Sequence, residues 1–460
     1  MTTARPHRFA ARLARLAGET YHGPYSAQAE RAAVNAIADT LGVALAGSRQ
    51  PCVDILVDTL EAGGDSRGSL IWGSAKRTSA LDAALVNGTA SHALDYDDVC
   101  AVFGGHHSAP LVAPLLALSE QRDVSGDCLL RAYMTGVEIE VRLARALHPV
   151  HYDKGWHPTS TIGVFGAASA AACLLGLDET RLATALSIAA SMSSGIKANF
   201  GSMTKPFHVG WCARSGLLAV LLAEGGYDAG QCALEDKQGF FDVYNGSGKY
   251  ALEKVFDTES QQLEIEGESI GVKQFPCCAS THAAITAALQ VQAHGKPRLD
   301  EIEHIAILPN GNRLAHTNKP FPRTGLEAKF SVQYVVARAL VSGTVRLDHF
   351  SDDRVREPAI QQLLNKIQAE PHPDMPLAGD NLWGAEVIVR LKSGQVLSRR
   401  VANLPCRDGN YPMTADERWN KFEDCAGTRL SPAAARALYD EINGLASLTN
   451  VAAIVRLMTA

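Results

Sequence analysis

The spacing of apolar positions changes once along the 460 residues, near residue 260. Before that point they recur every three or four residues, the period of helices. AQAERAAVNAIADTLGVALAGS (27–48) predicts an alanine-rich helix, with Ser26 placed to cap it and Gly47 to end it. Residues 79–94 predict another, with Leu81, Ala84, Leu85, Ala90 and Leu94 on helical spacing. LVAPLLALSEQ, GDCLLRAYMTGVEIEVRLARAL, TIGVFGAASAAACLLGL and ETRLATALSIAASMSSG continue the series, separated by short Gly or Asp punctuation. Most of these segments are apolar nearly all round, and such helices are buried by other helices. Their many Ala and Gly residues let the axes approach closely.

After residue 260 the texture is β-branched and alternating. EHIAILPN (303–310), WGAEVIVRLKSG (383–394) and QVLSRRVAN (395–403) read as strands, the last two joined at KSG as a hairpin. Helices are expected at 281–294 and 330–343, which makes an α+β module, and 431–458 returns to helix. The pattern predicts a mainly α fold with an α+β second domain: helical residues 1–262, an α+β lid over 263–405, and C-terminal helices 406–460 docking back on the helical part. HPDMPLAGDN (372–381) is the nearest approach to a flexible loop.

Composition narrows the function. Hydrophobic residues at 46% and charged residues at 20% describe a globular protein. A net charge of -6 argues against nucleic acid and anionic membrane as partners. No run of about 18 apolar residues suggests a membrane span. The first residues, MTTARPHRFAARLARLAG, fit an amphipathic helix (Phe9, Leu13, Leu16) better than a targeting segment. None of the ten cysteines forms a C-x-x-C pair, which fits a reducing, cytoplasmic location and weakens a zinc or iron–sulfur site. A site with no metal and no cofactor is the expectation.

The densest chemistry lies in HALDYDDVCAVFGGHHSAPLVAP (92–114), with three carboxylates and three histidines. Asp95, Asp97 and Asp98 repel one another when ionised, so a buried one is expected to keep a proton near neutral pH. His106 and His107 follow Gly104 and Gly105 as titrating partners; the plainer alternative is a solvated acidic helix end. In GWHPTSTIG (155–163), His157 precedes a helix start whose hydroxyls, Thr159 among them, suit an anion. In GSMTKPFHVGWCARSG (201–216), Lys205 and His208 are three apart at a helix start and suit a carboxylate. GVKQFPCCASTHAAI (271–285) gathers Lys273, Cys277, Cys278 and His282; the thiols read as packed rather than nucleophilic, and Lys273 is the stronger candidate.

Together HALDYDD, GWHPTSTIGVFGAASAA, GSMTKPFHVG, KQFPCC and AKFSVQYVVARAL (328–340) resemble the MmgE/PrpD family from about residue 20 to 450. That family includes 2-methylcitrate dehydratase, cis-aconitate decarboxylase and iminodisuccinate epimerase. The resemblance implies cofactor-independent homodimers with a helical domain, a smaller α+β lid and an active site between them. By position it implies catalytic roles for Asp95, His107, His157 and Tyr334, and substrate binding by Lys205 and Lys273. Thr159 and His208 join the binding set on the local reading, and His107 is preferred over His106 on its spacing to Pro114. His106, Asp98, Cys277, Cys278 and His282 stand as further candidates. Two departures stand out: Asp98-Val99-Cys100 replaces a DDT run, removing a hydroxyl, and the histidine that often follows the FP dipeptide is absent before His282. The implied activity is a lyase on a small polycarboxylate, a hydro-lyase first, with an epimerase or racemase of an imino- or amino-dicarboxylate, a decarboxylase, or a silent carboxylate binder as alternatives.

Overall fold

The computed structural model describes residues 9–62, 64, 67–257, 262–267, 270–377, 382–403, 406–407 and 412–459. Two compact units emerge, one formed by Met1–Val272 with Asp408–Ala460 and the other by Lys273–Arg407. The first unit runs ten residues past the 262 expected from periodicity. The reason is a short antiparallel pairing of Ile270–Gly271 with Val99–Cys100, which ties the chain to the acidic segment.

The first unit is helical. Phe9–His22, Ala27–Gly47, Ala80–His92, Ala109–Ser119, Gly126–Leu147, Gly163–Leu174, Glu179–Met192 and Thr204–Glu224 supply most of its core. Ser26 caps its helix by accepting from the Gln28 and Ala29 amides, and Ser79 does the same for Asp82. Glycine lets the helices meet backbone to backbone. A Cβ on Gly210 would stand 2.1 Å from the Leu85 carbonyl oxygen, and one on Gly47 would stand 2.0 Å from that of Ala90. Ala80–His92 is therefore clamped from two sides, which fixes where its C-terminal end, His92, points.

The C-terminal segment closes this unit. Gly126 N donates to Leu448 O, Val451 N to Val124 O, and Gly73 N to Met458 O. Helix Ala415–Ala426, which apolar periodicity alone does not reveal, lies along Ala27–Gly47, where a Cβ on Gly42 would meet Phe422 at 2.9 Å. The apolar-run criterion also missed Thr204–Glu224. That helix is long and apolar enough to cross a membrane, but Lys205, His208 and Arg214 interrupt its apolar run, and 67% of the qualifying window is buried inside the fold, as in a core helix.

The second unit is built on a four-stranded sheet in the order Ile367–Ala369, Ile302–Pro309, Ala385–Leu391, Val396–Val401. The first pair is parallel and the others antiparallel. Strand Ile302–Pro309 buries alternate residues, Ile305 and Ile307 among them, against a core shared with helices His282–Gly295 and Val332–Ser342. The parallel edge strand is only three residues long, too short for periodicity to announce. Part of the 372–381 loop, residues 378–381, lies outside the described residues.

Candidate active site

The helix Ala80–His92 ends in a turn that projects three carboxylates. Asp95 closes it with a left-handed backbone, φ 52°, a conformation rare for a non-glycine residue and held here by its surroundings. From this turn successive side chains diverge. Asp97 approaches His92 Nδ1 at 2.9 Å and His106 Nδ1 at 3.1 Å. Asp98 turns the other way, accepting from the Ser108 hydroxyl and standing 3.2 Å from His107 Nε2.

The histidine doublet diverges in the same manner. His106 Nε2 lies 3.4 Å from Asp95 Oδ1, and its amide donates to Thr159 Oγ1 at 3.0 Å. His107 is wholly buried beside Asp98, where Ser108 also meets Tyr133 at 2.6 Å. The two histidines are therefore placed apart: His106, the less favoured on spacing, joins Asp95 and Asp97, while the preferred His107 lies against Asp98. Thr159 holds the His106 loop through its hydroxyl, and its helix, Pro158–Thr161, is a single turn.

Lys205 enters from the first turn of Thr204–Glu224, its Nζ 2.8 Å from Asp95 Oδ1 and 5.0 Å from the Phe200 ring centroid. His208, one turn on, brings Nδ1 to 3.2 Å from His157 Nδ1. His157 is buried, with its ring edge-on to Phe200 at 4.9 Å and 6.0 Å from His92. Six groups thus gather within this unit: a lysine, two carboxylates, and the imidazoles of His106, His157 and His208, with His92 behind them.

Electrostatics divide the cluster. Burial alone would raise the Asp97 carboxyl, but the His106 and His92 imidazoles reverse this and hold it well below the usual range. Burial, and then the Lys205 ammonium, pushes His157 well down, so its imidazole stays neutral; His208 shifts the same way for the same two reasons. Burial lowers His92 to about 3 against the opposing pull of Asp97. Behind the turn, burial and then the Asp39 charge raise the Asp98 carboxyl well above the usual range. His107 is lowered to about 3 by burial.

His92, Asp95, Asp97 and His106 bring possible metal-ligand atoms within 4.8 Å of one another. The Lys205 ammonium already holds Asp95, however, so the positive charge a cation would bring is supplied by the protein itself.

In the second unit the sequence-based candidates occupy different surroundings. Tyr334 is fully buried in its core, its hydroxyl donating to the His349 carbonyl with Arg338 alongside. In this arrangement the hydroxyl proton is engaged by the backbone, apart from the lysine and histidine cluster of the first unit. Cys277 is buried and packed against Thr281 Oγ1 at 3.3 Å; burial raises its thiol to about 12, so it is not an activated nucleophile. Cys278 donates its amide to the Lys329 carbonyl, and His282 Nε2 stands 3.4 Å from the Cys277 carbonyl. Lys273 is buried.

A helical unit carrying a buried carboxylate, histidine and lysine cluster, followed by an α+β unit, defines a two-part family. Residues 11–253 match the MmgE/PrpD N-terminal domain and residues 275–445 the MmgE/PrpD C-terminal domain. The chain belongs to the MmgE/PrpD family. It is similar to the cis-aconitate decarboxylase of Mus musculus, 30% identical over 92% of this chain and 87% of the relative. The cis-aconitate decarboxylases of Homo sapiens (29% identical, 92% and 88% covered) and Aspergillus terreus (25%, 92% and 90%) are also similar. The chain is an enzyme of the lyase class.

Proposed function

We propose that the enzyme is a carboxy-lyase acting on a small unsaturated polycarboxylate of the cis-aconitate type. The observation that carries this reading is the buried convergence of Lys205, Asp95, His106 and His157 in one unit. The decarboxylases named above, matched over 92% of the chain, support it. They also shift the reading from the hydro-lyase that the sequence resemblance put first, and they do not favour an epimerase.

In such a substrate the bond to one carboxylate breaks and carbon dioxide leaves. Its electron pair forms a new double bond, and the pair of the old double bond moves to the carbon beside a second carboxylate. Lys205 offsets the charge that builds there, exchanging Asp95 for a substrate carboxylate. His106, set between Asp95 and Asp97, holds the proton that this carbon takes. Neutral His157, paired with His208, is an acceptor that keeps the pocket from carrying excess positive charge. Thr159 orients His106 through its amide. Lys273 is proposed as a substrate-binding residue on the family resemblance alone.

The test is incubation of the purified chain with cis-aconitate, citrate, 2-methylcitrate and an iminodisuccinate isomer in deuterium oxide, followed by proton NMR and carbon dioxide capture. Carbon dioxide from cis-aconitate, with one deuteron placed on the product, is the expected result. Loss of water from citrate or 2-methylcitrate without carbon dioxide would replace the carboxy-lyase reading with a hydro-lyase.

A further inference from the structure

The acidic turn is gripped from behind by a side chain from the far end of the sequence. Lys421, on helix Ala415–Ala426, is 7% exposed. Its Nζ donates to the Tyr96 carbonyl at 2.8 Å, stands 2.6 Å from Asp39 Oδ1, and lies 4.0 Å from the centroid of the Tyr96 ring. Tyr96 is the single residue between Asp95, which holds Lys205, and Asp97, which flanks His106. The bond therefore falls on the peptide that joins Tyr96 to Asp97, within the turn that carries both carboxylates.

The seat of this lysine is firm. Asp39 belongs to helix Ala27–Gly47, and three residues on, Gly42 admits Phe422 so closely that a Cβ would meet its ring at 2.9 Å. Lys421 is the immediate neighbour of Phe422, so the same packing fixes the reach of its ammonium. A buried ion pair adds little stability over an apolar pair of the same volume. What it adds here is a donor at a fixed point, beside an Asp95 backbone at φ 52° that needs its surroundings to hold it.

We propose that Lys421 is a positioning residue for the reaction, fixing the Tyr96 carbonyl and through it the angle at which Asp95 and Asp97 present their oxygens to Lys205 and His106. The proposal rests on the reading of that cluster as the active site. A small misplacement of either carboxylate changes the rate far more than it changes affinity.

Lys421→Met keeps the length of the side chain and removes its charge and donor, while Lys421→Arg keeps both. With the full chain and cis-aconitate, Lys421→Met is expected to lose about 10- to 100-fold in kcat with KM within about threefold, and Lys421→Arg to stay within about fivefold of wild type. A Lys421→Met enzyme whose kcat is within about twofold of wild type, whatever its Tm, overturns the proposal. If Lys421→Met does not fold, Asp39→Asn takes its place and is read by the same limits, since it releases the ammonium from its anchor. A second readout needs no turnover. The imidazole nitrogen signals of His106, identified by their loss in His106→Asn, are expected to titrate differently in Lys421→Met. Should the wild-type chain be inert towards cis-aconitate, the proposed reaction fails while a shifted His106 titration still supports the positioning role; an unshifted titration overturns that role.

Discussion

The Lys205 ammonium lies 2.8 Å from Asp95 Oδ1, joining the start of one core helix to the turn that ends another across 110 residues of sequence. Both groups are nearly buried, at 6% and 5% exposure. Helix Thr204–Glu224 delivers the lysine because Gly210 crosses Ala80–His92 at backbone contact. The pair is thus a direct product of helix packing, and its chemistry depends on that crossing.

Gly210→Ala tests the dependence. The new methyl would fall 2.1 Å from the Leu85 carbonyl and 2.2 Å from Thr89 Oγ1, both held by the buried helix. Overpacking of this kind costs about 1–3 kcal/mol. A lowered Tm with a reduced kcat in the folded fraction is expected. Wild-type Tm by calorimetry would contradict the close crossing.

The two adjacent histidines should separate cleanly by effect. His106→Asn is expected to lose about 100- to 10,000-fold in kcat, the range for a proton-transfer group, with little change in Tm. His107→Asn is expected to keep far more activity and to alter stability instead. The folded chain holds His107 at about 3 while an unfolded imidazole titrates near 6.5, so between these values only the unfolded chain takes the proton. The stability this residue contributes is complete above about pH 6.5 and is lost as pH falls toward 3. Unfolding midpoints measured across that range should therefore fall less steeply in His107→Asn than in wild type. Equal slopes, or equal kcat losses in the two variants, would contradict the assignment.

Glu140 offers a pH test with the opposite sign. It is fully buried on helix Gly126–Leu147, facing Gly166, and its carboxylate oxygens make no hydrogen bond among the described residues. Burial, then the Asp98 charge, raises its carboxyl well above the ordinary range. The folded chain keeps the proton where the unfolded chain has released it, so stability falls as pH rises from about 4.5 through the raised value. Glu140→Gln, neutral throughout, is expected to gain stability relative to wild type as pH rises from 5 to about 8. A Tm difference that stays constant over this range would show that Glu140 is ionised in the fold.

Much of the fold was legible because its helices and two of its strands bury regular stripes. Gly126–Leu147 and Ala27–Gly47 follow the apolar period, and Ser26 and Ser79 sit at the caps their residue types suggest. Ala415–Ala426 was not legible, being polar on its outer face, nor was the three-residue strand Ile367–Ala369. At the site, the sequence supplied the residue types but not their directions. Asp97 and Asp98, like His106 and His107, are neighbours in the chain that face different ways, and only the fold decides that Asp97 meets His106 while Asp98 meets His107. The pairing of His92 with Asp97 was missed although both lie in the segment singled out, because a separation of five residues across a helix end does not reveal which side chains meet. Tyr334 matched by position while its hydroxyl is spent on a core carbonyl, a contact no spacing reveals.

The most direct test of the account is the steady-state rate of carbon dioxide release from cis-aconitate by wild type and Lys205→Ala. Removing an electrostatic donor of this kind costs about 100- to 1,000-fold in kcat, and leaving Asp95 without its buried partner should also lower Tm. Steady release by the wild type, with at least about a 100-fold loss in a folded Lys205→Ala enzyme, is the expected result. An inert wild type, or a Lys205→Ala enzyme within about threefold of it, would contradict the central claim that this lysine and its buried histidines carry the reaction.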